Sequence, residues 1–138
     1  GADKLRGMIA TKPGVPDTTG ARVFKKLAWG DDLNPTATFA AQSYDAAFLL
    51  ALAIEKNGSA EREGLSKALR AVATAPGEVI LPGEWQKAKD LLKTGKEINY
   101  EGATGSLEFD KAGDVSGVII EMGVYVRYGS FIEFGQIQ

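Results

Sequence analysis

Side chains that commonly do chemistry near neutral pH are histidine, cysteine and convergent carboxylates. This sequence contains no histidine and no cysteine. That removes Ser-His-Asp triads, thiolate nucleophiles, disulfides, and zinc held by Cys or His. Carboxylates remain, as the pairs Asp31/Asp32, Glu61/Glu63 and Asp110/Asp114. A glycosidase or metal hydrolase needs such groups to converge across a cleft. Each pair has a plainer reading: a polar loop, an acidic helix start and a β-turn. Asp110-x-x-Gly113-Asp114 lacks the alternating oxygen ligands and distal glutamate of a helix–loop–helix calcium site. Gly102-Ala103-Thr104-Gly105-Ser106 resembles a phosphate loop, but no Lys-Ser/Thr and no helix follow it. It reads as a flexible turn before a strand. Ser43 and Ser106 sit in no nucleophile elbow. A small carboxylate acid–base enzyme is the reading these groups would serve, and the residues speak against it. No catalytic residue, metal ligand or cofactor is expected.

The segment Phe39-Ala40-Ala41-Gln42-Ser43-Tyr44-Asp45 points to binding instead. It sets an aromatic wall, an amide and a phenol just before an apolar helix. Such groups line small-molecule clefts, because the apolar body packs and the polar tip orients a ligand. The alternative is core packing for Phe39, with Tyr44 satisfying a backbone carbonyl.

The elements around these residues follow from spacing. Leu5 to Ala10 predicts a strand, and Thr11-Lys12-Pro13-Gly14-Val15-Pro16 an irregular crossover. Thr18 or Thr19 can cap a helix carrying Gly20, Val23, Phe24 and Leu27 and closing at Trp29-Gly30. Ser43 or Asp45 can cap the next, whose run Ala46 to Ile54 is apolar on every face and stops at Asn57-Gly58. Such a helix must be covered on all sides, as in a larger α/β protein. Ser59 is expected to cap a third helix, with Glu61 and Glu63 near its positive end and Leu65, Ala68, Leu69 and Val72 as its stripe. Leu81-Pro82-Gly83 is a turn, and Trp85, Ala88 and Leu92 share a fourth helix face ending at Gly95. Leu107 and Phe109 alternate with polar residues, Asp110 to Asp114 turns, and Val118 to Arg127 and Phe131 to Phe134 read as strands about a Tyr128-Gly129-Ser130 turn. The expectation is an α/β chain of one strand, four helices, then a β meander.

The chain has 138 residues, 14.6 kDa, 44% apolar and 25% charged residues, and a net charge of −2. That is one ordinary domain's worth of chain. It is not basic enough for non-specific binding to nucleic-acid phosphates or anionic lipid. Gly1-Ala2-Asp3 shows no signal-peptide pattern. The longest apolar run is far short of the ~20 residues of a membrane span. The reading is a mature soluble protein or a piece of one.

The order of motifs resembles a known family. Tyr44-Asp45-Ala46-Ala47-Phe48-Leu49-Leu50-Ala51-Leu52-Ala53-Ile54-Glu55-Lys56-Asn57-Gly58 is similar to the signature helix of the branched-chain amino-acid (Leu/Ile/Val-binding) type of periplasmic solute-binding proteins. Pro76-Gly77-Glu78-Val79-Ile80, Pro82-Gly83-Glu84-Trp85, Tyr100-Glu101-Gly102-Ala103-Thr104-Gly105 and Phe109-Asp110-Lys111-Ala112-Gly113-Asp114-Val115-Ser116-Gly117 are similar to later stretches of it. Leu5-Arg6-Gly7-Met8 matches the strand before its second crossing between lobes. The resemblance spans nearly the whole chain in order.

It implies the C-terminal portion of a two-lobe, type I periplasmic-binding-protein-like α/β fold. Residues 1–15 would end the second lobe and enter a crossover, 16–115 would form the second half of the first lobe, and 116–138 would cross back and supply the last strands of the second. It implies a non-enzymatic solute receptor of an ABC importer. Such a receptor is periplasmic, closes on an amino acid or similar small polar solute, and delivers it to a membrane permease. By the match, Phe39 would be an apolar wall for the ligand, with Gln42 and Tyr44 as further ligand-binding candidates. A sensor region of the same fold, passing its conformation to a signalling partner, is the alternative role. No nucleic acid is expected as a partner. A chain with an exposed sheet edge and an apolar helix is also expected to self-associate.

Overall fold

The computed structural model describes residues 8–115, 117, 119–125 and 130–137. In chain order its elements are β1 (Ile9–Pro13), α1 (Thr19–Gly30), α2 (Ala40–Asn57), α3 (Leu65–Ala73), β2 (Glu78–Ile80), α4 (Trp85–Lys93), β3 (Ile98–Gly102), β4 (Gly105–Ser106), β5 (Ile119–Tyr125) and β6 (Ser130–Ile137). They fall into two compact units, one of Gly1–Gly14 with Gly117–Gln138, the other of Val15–Ser116.

The first unit is a three-stranded antiparallel sheet in the order β1-β5-β6. The expected strand within Leu5–Ala10 is displaced along the chain, because β1 runs through Thr11 and Lys12 to Pro13. Proline is tolerated there because β1 is an edge strand and Pro13 is its last residue, opposite Ile119. The pairing of β5 with β6 shifts register between Glu121 and Met122. The proposed start at Leu5 and the turn at Tyr128-Gly129 lie outside the described residues.

The second unit is an α/β layer. Its sheet runs β2-β3-β4, with β2 and β3 parallel and β3 and β4 an antiparallel hairpin. The helices before and after β2 were foreseen, but β2 itself was not. With α4 it makes a short β-α-β unit, so the β part of the chain is not one trailing meander. Leu107 and Phe109 do not form a strand either, since β4 ends at Ser106. Leu107 instead enters the core, and Phe109 lies half-buried with the Arg70 guanidinium 5.6 Å from its ring centre.

One core joins Leu49, Leu52 and Ala53 of α2, Ala68 and Val72 of α3, Ile80 of β2, Ala88 of α4, and Ile98 and Tyr100 of β3. Burying each large side chain here is worth about 1.5–3 kcal/mol. A smaller cluster joins Phe24 and Ala28 of α1 to Ala41 of α2 and Ala103. Ala41, Asp45, Leu49, Leu52 and Ala53 form the buried stripe of α2. Among the described residues its other side is not covered: Ala46 and Ala47 are exposed and Leu50 is 43% exposed.

Four helix ends show which caps are local and which are not. Thr18 caps α1 as expected, its Oγ1 accepting from the Ala21 N–H at 3.2 Å. Gly58, at φ 72°, stops α2 as expected. The start of α2 differs. Neither Ser43 nor Asp45 caps it; the helix begins earlier, behind Phe39, and Asp45 is drawn into a tertiary network. Likewise α3 begins after Gly64, at φ 77°, and Ser59 only closes a local turn by accepting from the Glu61 N–H.

Candidate functional site

The carboxyl ends of β2 and β3 meet the amino ends of α1 and α2 at one edge of the second unit. In open α/β sheets that edge is where ligands bind. Four pieces of chain build it here. Thr18–Gly20 opens α1, Phe39–Asp45 opens α2, Leu81–Gly83 follows β2, and Glu101–Gly105 forms the β3–β4 turn.

Close approach of these pieces is enforced by glycines. A Cβ on Gly20 would lie 2.1 Å from the Gly102 carbonyl oxygen, and one on Gly102 would lie 2.5 Å from Asp45 Oδ2. Against Gly102 sits the Asp45 carboxylate, 3% exposed. Its Oδ1 accepts from the Tyr100 hydroxyl at 2.8 Å and the Ala103 N–H at 2.7 Å. Its Oδ2 accepts from the Thr104 N–H at 2.7 Å and the Thr104 hydroxyl at 2.6 Å. The turn that looked like a phosphate loop does hold an anion with its backbone amides, and that anion is the protein's own. Burial holds the Tyr100 phenol protonated far above its ordinary range, and the neighbouring Asp45 charge and hydrogen bond act in the same direction.

Of the residues expected at the site, Phe39 is 55% exposed, so it is not core. It is the N-cap of α2, held in the left-handed region at φ 65°, ψ 6°, with no side-chain cap bond. A bulky residue there is strained, at a cost of about 1–3 kcal/mol, and such strain clusters at ligand-binding sites. Gln42 lies half-buried three residues on, in the first turn of α2. Tyr44 is engaged in packing. Its ring packs between Phe24, 5.1 Å away, and Phe48, 5.6 Å away. Its hydroxyl oxygen accepts from the Gly83 N–H at 2.8 Å, the reverse of the carbonyl contact anticipated for it. Burial raises the Tyr44 phenol above its ordinary value; the Gly83 N–H opposes this and Asp45 reinforces it.

The paired carboxylates do not converge on this edge. Asp31, Asp32, Glu61, Glu63 and Asp114 are exposed, and Asp110 closes its own turn. Among the described residues no group of acidic side chains could hold a metal ion, and no helix is long and apolar enough to cross a membrane.

Residues 4–122 match the family described as "Receptor family ligand binding region". The chain belongs to this family. Over 91 residues it is 34% identical to the chemotactic signal transduction system substrate-binding protein BasB of Halobacterium salinarum, covering 65% of this chain and 22% of that protein. Its fold matches the leucine binding protein LivK of Thermotoga maritima with a TM-score of 0.57 at 20% identity, covering 97% of this chain and 31% of LivK. The chain thus spans about a fifth of one relative and a third of the other. The LivK likeness shows the type I periplasmic-binding-protein fold. Family and fold are those of solute-binding and receptor proteins.

Asp45 was taken in the sequence for a helix cap, and its larger role went unseen. The one signal for it was a lone carboxylate heading an apolar run. Such a charge must find partners, and they lie more than fifty residues away. Asn99 and Glu101, side by side on β3, were also missed, because β3 itself was not foreseen.

Proposed function

We propose that this chain is part of the non-enzymatic solute-binding component of an ABC importer for branched-chain amino acids or related small polar solutes. The observation that carries this reading is the exposed, strained Phe39 at the head of α2. An aromatic face held in place before a solute arrives costs no further ordering when it binds. In this reading Phe39 is the apolar wall for the solute side chain, and Gln42 offers an amide beside it. Tyr44, with its hydroxyl already engaged, acts by holding α2 against the Leu81–Gly83 turn. The assignment of residues 16–115 to one lobe, and of 1–15 and 116–138 to the other lobe and its crossovers, belongs to the same proposal. So do a periplasmic location and a membrane permease as partner.

The test is calorimetric titration of the full-length native protein with L-leucine, L-isoleucine and L-valine. Saturable binding, weakened roughly tenfold or more by Phe39→Ala, is expected. Heats that never saturate for any of the three, or a Phe39→Ala affinity equal to wild type, would reject the reading.

One observation favours the sensor role: BasB, to which two-thirds of this chain aligns, is a chemotactic signal transduction substrate-binding protein. Solute-dependent association with a membrane transducer, and none with a permease, would select it. Self-association through a second copy is supported by the uncovered Ala46, Ala47 and Leu50 of α2. A single monomeric boundary in sedimentation at high concentration would exclude it.

A further inference from the structure

A groove of about 470 Å³ runs between α3 and the turn after β4, lined by Arg62, Leu65, Ser66, Leu69, Arg70, Phe109 and Gly113. Its volume is that of a small-molecule site. None of the four pieces of chain that build the Phe39 edge contributes to it. The helix supplies two adjoining rows. Leu65 and Leu69 are four residues apart, as are Ser66 and Arg70, so each pair lies on one side of α3. Leu65, Leu69 and Phe109 are half-buried and give the groove an apolar lining.

The charges in that lining are both positive. Arg70 is held in place from several directions. Its guanidinium carbon lies 5.6 Å from the Phe109 ring centre, its Nη1 donates to the Asp110 carbonyl oxygen at 2.7 Å, and its Nη2 lies near Gly113. The nearby Asp110 carboxylate is already occupied, accepting from the Gly113 and Asp114 amides. Among the described residues neither Arg62 nor Arg70 forms an ion pair, and the Ser66 hydroxyl makes no hydrogen bond. A guanidinium fixed against an aromatic face has lost little freedom left to lose, and its remaining N–H groups match a carboxylate fork. Two cations repel an ammonium group, and a bare inorganic anion would leave the leucines and Phe109 unused. We propose that this groove binds a carboxylate carried on an apolar chain. Arg70 grips the carboxylate, Arg62 adds a second positive charge, the Ser66 hydroxyl donates, and the tail lies along Leu65, Leu69 and Phe109. This site goes beyond the solute reading above and does not rest on it.

The probe is hexanoate, titrated into ¹⁵N-labelled full-length native protein. Saturable shifts of the Ser66 and Gly113 backbone amides are expected. Hexanamide and hexylammonium keep the tail without the anion and should bind at least roughly tenfold more weakly. Acetate keeps the anion without the tail and should also lose roughly tenfold or more. Arg70→Gln should weaken hexanoate at least roughly tenfold. That change also removes the bond to Asp110, so a second variant is needed. Arg62→Glu reverses an exposed charge that holds nothing else, and should weaken hexanoate roughly fivefold with an unchanged thermal midpoint. Hexanoate affinity should also fall as salt is raised. The proposal is overturned if hexanoate gives no saturable shift at Ser66 and Gly113, if hexanamide or hexylammonium binds as tightly, or if Arg62→Glu keeps wild-type affinity.

Discussion

Two aspartates in this chain gather backbone N–H groups, and they do opposite jobs. Asp110 accepts from Gly113 at 2.8 Å and Asp114 at 2.9 Å, three and four residues ahead, in full contact with water. Asp45 accepts from Ala103 and Thr104, 58 and 59 residues away, from inside the protein. The chemistry is the same, but burial and sequence separation differ. Asp110 shapes a turn that its own neighbours already favour, with Gly113 at φ 99°. Asp45 binds the second turn of α2 to the end of β3 and the turn after it, close to the edge where Phe39 stands. A hydrogen bond whose loss exposes its partners to water is cheap to lose. One whose loss strands them in a dry interior is not.

The comparison breaks most visibly at Asp45. Asp45→Ala would leave the Tyr100 hydroxyl and the Ala103 and Thr104 amides without an acceptor. A loss of at least about 3 kcal/mol is expected in denaturant unfolding, since each stranded group costs about 1–3 kcal/mol. Asp45→Asn should recover little, because one oxygen becomes a donor that faces other donors. A loss under about 1 kcal/mol for Asp45→Ala would mean that water replaces the carboxylate, and the contrast with Asp110 would collapse. Next in size is Gly20→Ala. The added methyl meets a backbone carbonyl that cannot swing aside, and overpacking of this kind costs about 1–3 kcal/mol. Gly30→Ala is its control, because nothing lies within 4 Å of a Cβ there. That change should be neutral or slightly stabilising.

The same contrast explains what could be read from the sequence. Local features were legible. Gly58 ends α2 and Thr18 starts α1 through bonds to residues a few positions away. The order of motifs carried the family, and with it the fold. Features set by distant partners were not legible. Asp45 looked like a cap because sequence shows only its near neighbours. β2 is three residues long, with Glu78 and Val79 exposed, so neither length nor apolar pattern announced it. Without β3, the pairing of Asn99 with Glu101 on one sheet face could not be seen. Thr11–Pro13 was given to a crossover because proline argues against strands, and the exception for a strand's edge needs the sheet. At the site, Phe39 and Tyr44 were judged by the same composition. Only the packing of Tyr44 between Phe24 and Phe48 separates an exposed ring from a structural one.

Tyr100→Phe sharpens the comparison from the other side. It removes one of four donors to Asp45 and leaves the carboxylate buried among three. A loss of about 1–2 kcal/mol is expected, smaller than for Asp45→Ala. The wild-type phenol adds a pH signature. Its folded value lies above its ordinary value of 10.0, so its contribution is intact below pH 10. Above that, the unfolded chain releases the proton first, and stability falls as pH rises further. Tyr100→Phe should flatten this alkaline decline. Ultraviolet titration of the native protein should show fewer tyrosinates near pH 10 than its four tyrosines would give when unfolded.

The smallest effect belongs to Asp110. Its carboxyl sits below the ordinary 3.8, chiefly because the Asp114 N–H donates to the charged form, with Gly113, Ala112 and Arg70 adding to it. A depressed folded value means that the stabilisation is present above the ordinary aspartate range and is lost as pH falls through the folded value. Asp110→Asn should therefore lower the thermal midpoint slightly at pH 7 and not at all in strong acid. Carboxyl ¹³C shifts against pH give the direct measurement, with a midpoint below 3.8 expected for Asp110 in the folded chain. A midpoint at or above 3.8 would show that water, not the turn, sets this charge. Exposed, Asp110 can be titrated by the solvent around it at little cost to the fold. Asp45, buried, holds donors that lie 55 to 59 residues away, and that difference makes one aspartate a local clasp and the other a tie between distant elements.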